Sequence, residues 1–169
     1  SVSAVGVAFL VCEACSLGLP SRVRLLIWGP APPSRVVPPI WEFSPVYGVD
    51  HVPGSRGRHS SADYDVTYTI GGDRCRVTPD PPHPAGLVLV VGCSIAFGQG
   101  VEDDEGFPYL LGAEHWTRHK VRNRSVMGWG TAQAYCAVAE ALEGARAPSL
   151  VLYAMLPGRC AVERNYLRR

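Results

Sequence analysis

The sequence predicts an α/β protein built on a parallel sheet and preceded by a proline-rich segment with a small β element. A continuous apolar run at Leu87–Val91 is typical of a strand that is covered on both faces. Two further strand-like segments follow it, with helical segments between them, and this alternation implies right-handed crossovers and a parallel sheet. Twelve of the 15 prolines precede residue 85, so the two parts of the chain differ in composition.

The composition indicates a folded domain without a nucleic-acid partner. The chain has 169 residues, of which 47% are hydrophobic and 18% are charged, so it is not a disordered chain. Sixteen Lys and Arg residues nearly balance 15 Asp and Glu residues, which leaves a net charge of +1. This balance excludes a strongly basic nucleic-acid binder and an acidic tail.

Residues 1–19 are interpreted as a possible membrane anchor or signal segment. They are mostly apolar, with one carboxylate at Glu13. A bilayer span needs about 20 apolar residues, and a carboxylate inside it costs about 2.5–3.5 kcal/mol. A buried helix of a soluble protein therefore stays open as an alternative. An anchor or signal would place the protein in the cell envelope or outside the cytoplasm, with membrane association through the N-terminus.

The six cysteines predict no metal site and leave disulfide pairing open. Cys12 and Cys15 have the spacing of a redox motif, but they lie in an apolar run and not after a strand. The sequence contains no second Cys-x-x-Cys pair to complete a zinc site. We expect neither a metal ion nor an organic cofactor.

Residues 20–86, which we call the leader, are rich in proline and glycine. The stretch 20–60 predicts an extended linker, because proline cannot donate to a sheet or continue a helix. Residues Tyr64–Ile70 show an alternating pattern and are mostly β-branched or aromatic, which predicts a strand. A Gly-Gly-Asp turn follows, and Cys75–Val77 is the returning strand of a short β-hairpin.

Four more elements are predicted after the Leu87–Val91 strand. They are a helix at Phe107–Glu114, a strand at Lys120–Asn123, a helix at Thr131–Glu143 and a strand at Leu150–Met155. The second helix has apolar residues at helical spacing, and we expect this face to be buried. Its members are Tyr135, Val138, Ala139 and Leu142.

The carboxyl ends of parallel strands are where ligands and reactive groups collect in such sheets. Ser94 lies there, just after the first predicted strand. A serine on a tight turn at this point can expose its hydroxyl group beside backbone N–H groups, which can stabilise an oxyanion. The alternative is an ordinary turn serine.

The residues around Ser94 resemble a known family. Residues 92–101 (GCSIAFGQGV) resemble the first sequence block of the SGNH (GDSL-type) hydrolases, and residues 123–130 (NRSVMGWG) are similar to the second block. The resemblance extends over residues 87–155. Upstream, residues 47–54 and the strand that ends at Arg76 also look like the leader of membrane-anchored members.

The resemblance implies a flavodoxin-like three-layer α/β/α sandwich and hydrolysis of an ester or acyl group through a serine acyl-enzyme. Ser94 would be the nucleophile, and the N–H groups of Ser94 and Gly128 would form the oxyanion hole. Asn165 is a further candidate for the oxyanion hole. The base would be a histidine oriented by an aspartate. Small-molecule, polysaccharide and lipid esters all fit as substrates.

This sequence departs from the family pattern at three places. The third block lacks the family's Gly-x-Asn-Asp after the third strand, and Asn165 is the nearest asparagine. Cys93 occupies the position of the family's aspartate, and a small buried residue is the expectation there. The chain has one Asp-x-x-His match, Asp80 to His83, which precedes the first strand and should lie at the opposite end of the sheet from Ser94. We therefore expect residues 87–169 to be part of a longer hydrolase whose base lies beyond Arg169. The alternative is a catalytically inactive binding or assembly domain of the cell envelope.

Overall fold

The computed structural model describes residues 35–154, which fall within one compact unit. The predicted anchor or signal segment at 1–19 lies outside this range, as do Cys12 and Cys15. Among residues 35–154, no helix has both the length and the apolar content that a membrane crossing requires.

Residues 35–78, which we call the antiparallel module, contain five strands in two sheets. The strands are β1 (Arg35–Val37), β2 (Trp41–Ser44), β3 (Gly48–His51), β4 (Arg56–Ser60) and β5 (Asp65–Thr69). One sheet has the order β1-β4-β5 and the other pairs β2 with β3, and all neighbours are antiparallel.

The prediction of an extended linker was wrong for residues 35–60, which form β1 to β4. The prolines of this stretch all lie in the connections between strands, where a missing N–H group costs nothing. The strand predicted at Tyr64–Ile70 is confirmed as β5. The returning strand at Cys75–Val77 is reduced to isolated bridges, in which Arg76 pairs with Ile70 and with Asn123.

The second half contains a parallel sheet with the order β7-β6-β8. Its strands are β6 (Gly86–Gly92), β7 (His119–Asn123) and β8 (Leu150–Ala154). The helices are α1 (Ser94–Phe97), α2 (Phe107–Leu110), which continues into a π-helical turn at Leu111–His115, and α3 (Thr131–Glu143). The predicted parallel sheet and its strand and helix order are confirmed; α1 was not predicted.

Helices cover both faces of this sheet. Successive side chains of β6 point to opposite faces, so they pack against different helices. Leu89 and Val91 pack in one apolar cluster with residues of α3. Val88 and Val90 pack in another cluster with residues of α1 and the π-helical turn. The second half is therefore a mixed α/β arrangement around a three-stranded parallel sheet.

The face that α3 buries differs in part from the prediction. The side chains of Tyr135 and Leu142 are 74% and 56% exposed, whereas Ala134 and Ala137 are buried. The small alanines let the helix approach the sheet closely, and the bulky Trp129 fills the same cluster. Of the predicted face, Val138 is half-buried and packs against this cluster, whereas Tyr135 and Leu142 lie on the exposed side of the helix.

A buried ion pair joins the antiparallel module to the chain that follows β7. Arg124 donates hydrogen bonds of 2.7 and 2.8 Å to the two carboxylate oxygens of Asp50. The guanidinium group of Arg124 lies 5.2 Å from the ring centre of Tyr47 and 4.8 Å from that of Trp129. The indole N–H of Trp129 donates to the carbonyl oxygen of Val49 at 2.7 Å.

The loop after α1 covers the outer edge of β5 with two carboxylates. Glu102 accepts a hydrogen bond from the backbone N–H of Thr67, and Asp103 accepts one from that of Thr69, both at 3.1 Å. These side chains occupy positions that a neighbouring strand would otherwise take. The antiparallel module and the second half are thus connected through backbone groups as well as side chains.

His51 is a fully buried histidine in β3. Its Nδ1 donates to the carbonyl oxygen of Arg74 at 3.0 Å, its ring lies 5.2 Å from that of Phe97, and within the described residues its Nε2 has no hydrogen-bond partner. Desolvation lowers the pKa of His51 from its ordinary value of 6.5 to about 4. The folded protein therefore holds this ring in its neutral form.

We expect His51 to make the protein less stable in mild acid. Below pH 6.5 the unfolded chain binds a proton that the folded chain excludes until about pH 4. Between pH 6.5 and 5, the wild type should lose about 1.5 kcal/mol more unfolding free energy than His51→Gln. Urea titrations at several pH values measure this, with the exposed His115→Gln variant as the control. Parallel pH profiles for wild type and His51→Gln would contradict it.

Breaking the buried ion pair should destabilise the protein strongly. Arg124→Met leaves Asp50 buried without its bidentate partner, so we expect a loss of about 3 kcal/mol in urea unfolding. The matched control is Arg58→Met, whose partner Asp65 lies in an exposed pair, and it should cost less than about 1 kcal/mol. Equal losses in the two variants would show that burial of the Arg124 pair is not what matters.

Candidate active site

Ser94 lies at the carboxyl end of the central strand of the parallel sheet. β6 ends at Gly92, Cys93 is extended and buried, and Ser94 is the first residue of α1. The residue Ser94 is half-buried. This is the position that the sequence predicts for it.

Gly92 is required by the close packing at this strand end. A Cβ atom added at Gly92 would lie 2.7 Å from the carbonyl oxygen of Ala154 and 2.7 Å from the Cβ atom of Ala96. The end of β8 and the helix α1 therefore both approach the backbone of β6 just before Ser94. A larger residue would displace the segment that carries the serine.

Gly128 lies in the turn that follows β7, at the same edge of the sheet. The N–H of Val126 donates to the carbonyl oxygen of Gly92 at 3.3 Å, and the N–H of Trp129 donates to Val126 at 3.1 Å. Gly128 is the third residue of this turn and has a φ of +92°, a conformation that favours glycine. Ser94 and Gly128 each follow the bonded pair by two residues, so the structure brings both to one strand end. Asn165 lies outside the described residues.

The histidines of the second half lie away from this strand end. His83 is exposed and precedes β6, whose seven residues span about 20 Å at a rise of 3.3 Å. His119 begins β7 and pairs with Gly86 at the amino end of β6. His115 is exposed. The Asp-x-x-His match at His83 is therefore at the opposite end of β6 from Ser94, as its sequence position predicts.

The histidines of the antiparallel module are buried, and one of them also contacts α1. His59 is buried, its Nδ1 lies 2.8 Å from the hydroxyl oxygen of Tyr68, and its ring makes an edge contact with Tyr64. His51 contacts Arg74 and Phe97 as described above.

Arg76 is a residue of this region that motif reasoning missed. One guanidinium nitrogen, Nη1, donates to the carbonyl oxygens of Phe97 at 2.9 Å and Gly98 at 2.7 Å. The other, Nη2, donates to the carbonyl oxygen of Val101 at 2.7 Å, and Nε donates to Asp103 at 3.0 Å. All of these acceptors belong to the segment that begins with Ser94. The one sequence feature that could have indicated this role is that Arg76 is a charged residue inside the predicted strand Cys75–Val77.

Asn123 supports the same segment from β7. Its side-chain nitrogen Nδ2 donates to the carbonyl oxygens of Ala96 at 3.2 Å and Phe97 at 3.3 Å. Its own carbonyl oxygen accepts the backbone N–H of Arg76 at 3.0 Å. The asparagine of the second sequence block is thus a structural partner of α1.

A cleft of about 430 Å³ lies elsewhere, between the end of α3 and the turn at residues 73–75. Two of the arginines that line it are paired, Arg122 with Asp73 and Arg124 with Asp50. Burial raises the pKa of the Cys75 thiol there to about 12, so this thiol is not a nucleophile at neutral pH. Ser94 does not line this cleft, so we assign the cleft no catalytic role.

We expect the two glycines of the strand edge to respond differently to substitution. Gly92→Ala should cost about 2–3 kcal/mol, because the new methyl group meets a backbone carbonyl that cannot move freely. Gly128→Ala has open space and should cost about 1 kcal/mol, the penalty of a positive φ. Unfolding free energies in urea test this, with Gly72→Ala as the unstrained control. A Gly128→Ala loss as large as that of Gly92→Ala would contradict the packing argument.

No protein-family model matches the chain, and no curated protein matches it in sequence. The resemblance to the SGNH hydrolases therefore rests on the two motif blocks and on their placement after β6 and β7.

Proposed function

We propose that the protein is a serine hydrolase of ester or acyl groups, with the flavodoxin-like α/β/α fold of the SGNH family. The observation that supports this most directly is Ser94 at the start of a helix directly after the central strand, with the Gly128 turn at the same edge. The sheet order, in which the first parallel strand lies between the second and the third, is that of the first three strands of flavodoxin-like sheets.

The proposed chemistry uses Ser94 as the nucleophile. Its Oγ attacks the substrate carbonyl carbon while the hydroxyl proton passes to a base. The N–H groups of Ser94 and Gly128 hold the resulting oxyanion. Collapse of the tetrahedral intermediate expels the alcohol, which takes up the proton, and water then hydrolyses the acyl-enzyme. Small-molecule, polysaccharide and lipid esters are the candidate substrates.

The base is the part of the proposal that rests on the resemblance alone. In this family it is a histidine oriented by an aspartate. His51 donates to the carbonyl oxygen of Arg74, and its ring contacts Phe97. His83 and His119 belong to the other end of the sheet. The placement of His83 and His119 at the opposite end of β6 from Ser94 supports a second candidate function, a catalytically inactive binding or assembly domain.

Labelling with a fluorophosphonate separates the two candidates. We expect the full-length protein to gain the mass of one phosphonyl group, and peptide mapping should locate it on Ser94, because only an activated serine reacts. Ser94→Ala should abolish labelling, whereas the exposed Ser60→Ala should label as the wild type does. A folded wild-type protein that is not labelled would overturn the hydrolase proposal and favour the inactive domain.

A further inference from the structure

The helix that begins with Ser94 is too short to hold its own position. α1 has four residues, and within the described part of the chain no side chain caps its first turn. An isolated helix of one turn is unstable in water, because nucleation fixes several residues for a single hydrogen bond. The placement of Ser94 must therefore depend on contacts from outside the helix.

Arg76 supplies the densest set of these contacts. Its side chain is 2% exposed and is hydrogen-bonded to three backbone carbonyl groups and one carboxylate of the segment 97–103. Hydrogen bonds from a charged donor are stronger than neutral ones, and a buried guanidinium group without partners would be costly. The segment after α1 and the guanidinium group therefore stabilise each other.

The surroundings of Arg76 fit a planar guanidinium group. Its central carbon lies 4.6 Å from the ring centre of Tyr68 and 4.9 Å from that of Phe97. Gly98 has a φ of +86°, and a Cβ atom there would lie 2.7 Å from Nη1 of Arg76. The chain thus turns away from α1 at a residue whose missing side chain makes room for this arginine. The hydroxyl oxygen of Tyr68 also accepts the N–H of Gly100 at 2.9 Å.

The backbone of Arg76 is fixed as well. It bridges Ile70, which directly follows β5, and Asn123 at the end of β7. Asn123 in turn donates to the last carbonyl groups of α1. One residue therefore connects the segment that carries Ser94 with the strand that leads to Gly128.

We propose that Arg76 is a positioning residue, which sets the placement of Ser94 from the antiparallel module. It acts through the backbone of residues 97–101 and does not touch a reacting atom. Lysine cannot substitute for it, because a single ammonium group cannot reach acceptors spread around a planar fork. The assignment of Ser94 as the positioned nucleophile rests on the proposed function, whereas the ordering of α1 does not.

Hydrogen exchange tests the ordering of α1 independently of catalysis. The N–H groups of Gly98 and Gln99 donate to the carbonyl oxygen of Ser94 at 3.1 and 2.9 Å. In Arg76→Met, these amides should exchange at least about tenfold faster through local opening of α1. The amides of β6 should exchange only through global unfolding, so their rates should change only as much as the global stability does. The matched control is the exposed Arg58→Met. Unchanged protection at Gly98 and Gln99 in Arg76→Met would overturn the proposal.

Chemical rescue tests the consequence for Ser94. Arg76→Ala should react with the fluorophosphonate at least about tenfold more slowly than the wild type, since misplacement of a nucleophile is costly. Millimolar guanidinium chloride, but not sodium chloride, should restore part of the rate by filling the vacated site. A reduced rate that guanidinium does not restore would point to general destabilisation and would contradict positioning.

A second variant covers the case in which Arg76→Ala or Arg76→Met does not fold. Arg76→Lys keeps the buried charge and the partner Asp103, and it should fold yet lose protection at Gly98 and Gln99. Wild-type protection in Arg76→Lys would overturn the proposal. If the wild-type protein itself fails to label, the hydrolase proposal fails, and the hydrogen-exchange result still decides whether Arg76 orders α1.

Discussion

The guanidinium group of Arg124 lies against the stacked rings of Tyr47 and Trp129, whose centres are 4.7 Å apart, and donates both of its forked hydrogen bonds to Asp50. Taking either charge out of water alone costs several kcal/mol, and the cost is offset only when the partner and the geometry are both in place. Asp50 belongs to β3 and Arg124 follows β7. Neither can therefore be buried favourably until the antiparallel module and the parallel sheet have come together, which makes the two parts one cooperative structure.

Arg76 is a second buried arginine whose charge needs its partners in place. Like Arg124, it is buried, paired with one carboxylate and in contact with two aromatic rings. Arg76 of the antiparallel module bonds the segment that follows Ser94, and Arg124 of the second motif block bonds Asp50 of the antiparallel module. The antiparallel module is therefore a support for the candidate active site, although its proline content is typical of a linker.

The parallel part could be predicted from the sequence because its signals are local. The apolar run of β6 and the helical period of Thr131–Glu143 each lie within one segment, and the motif blocks located Ser94 and Gly128. The strands of residues 35–60 have three to five residues, and their stability comes from partners that a local window does not contain. For the same reason a buried arginine such as Arg76 has no sequence period, and only its contacts in the fold identify it.

The carboxylates on the outer edge of β5 have a consequence for association between molecules. A strand with unpaired N–H groups is a template on which another chain can add a strand, and this is a common route to aggregation. Glu102 and Asp103 already accept the hydrogen bonds that such a strand would make, and they place negative charge along the edge. Because both residues belong to the loop that Arg76 holds, the arginine that orders α1 also helps to keep this edge closed to other chains.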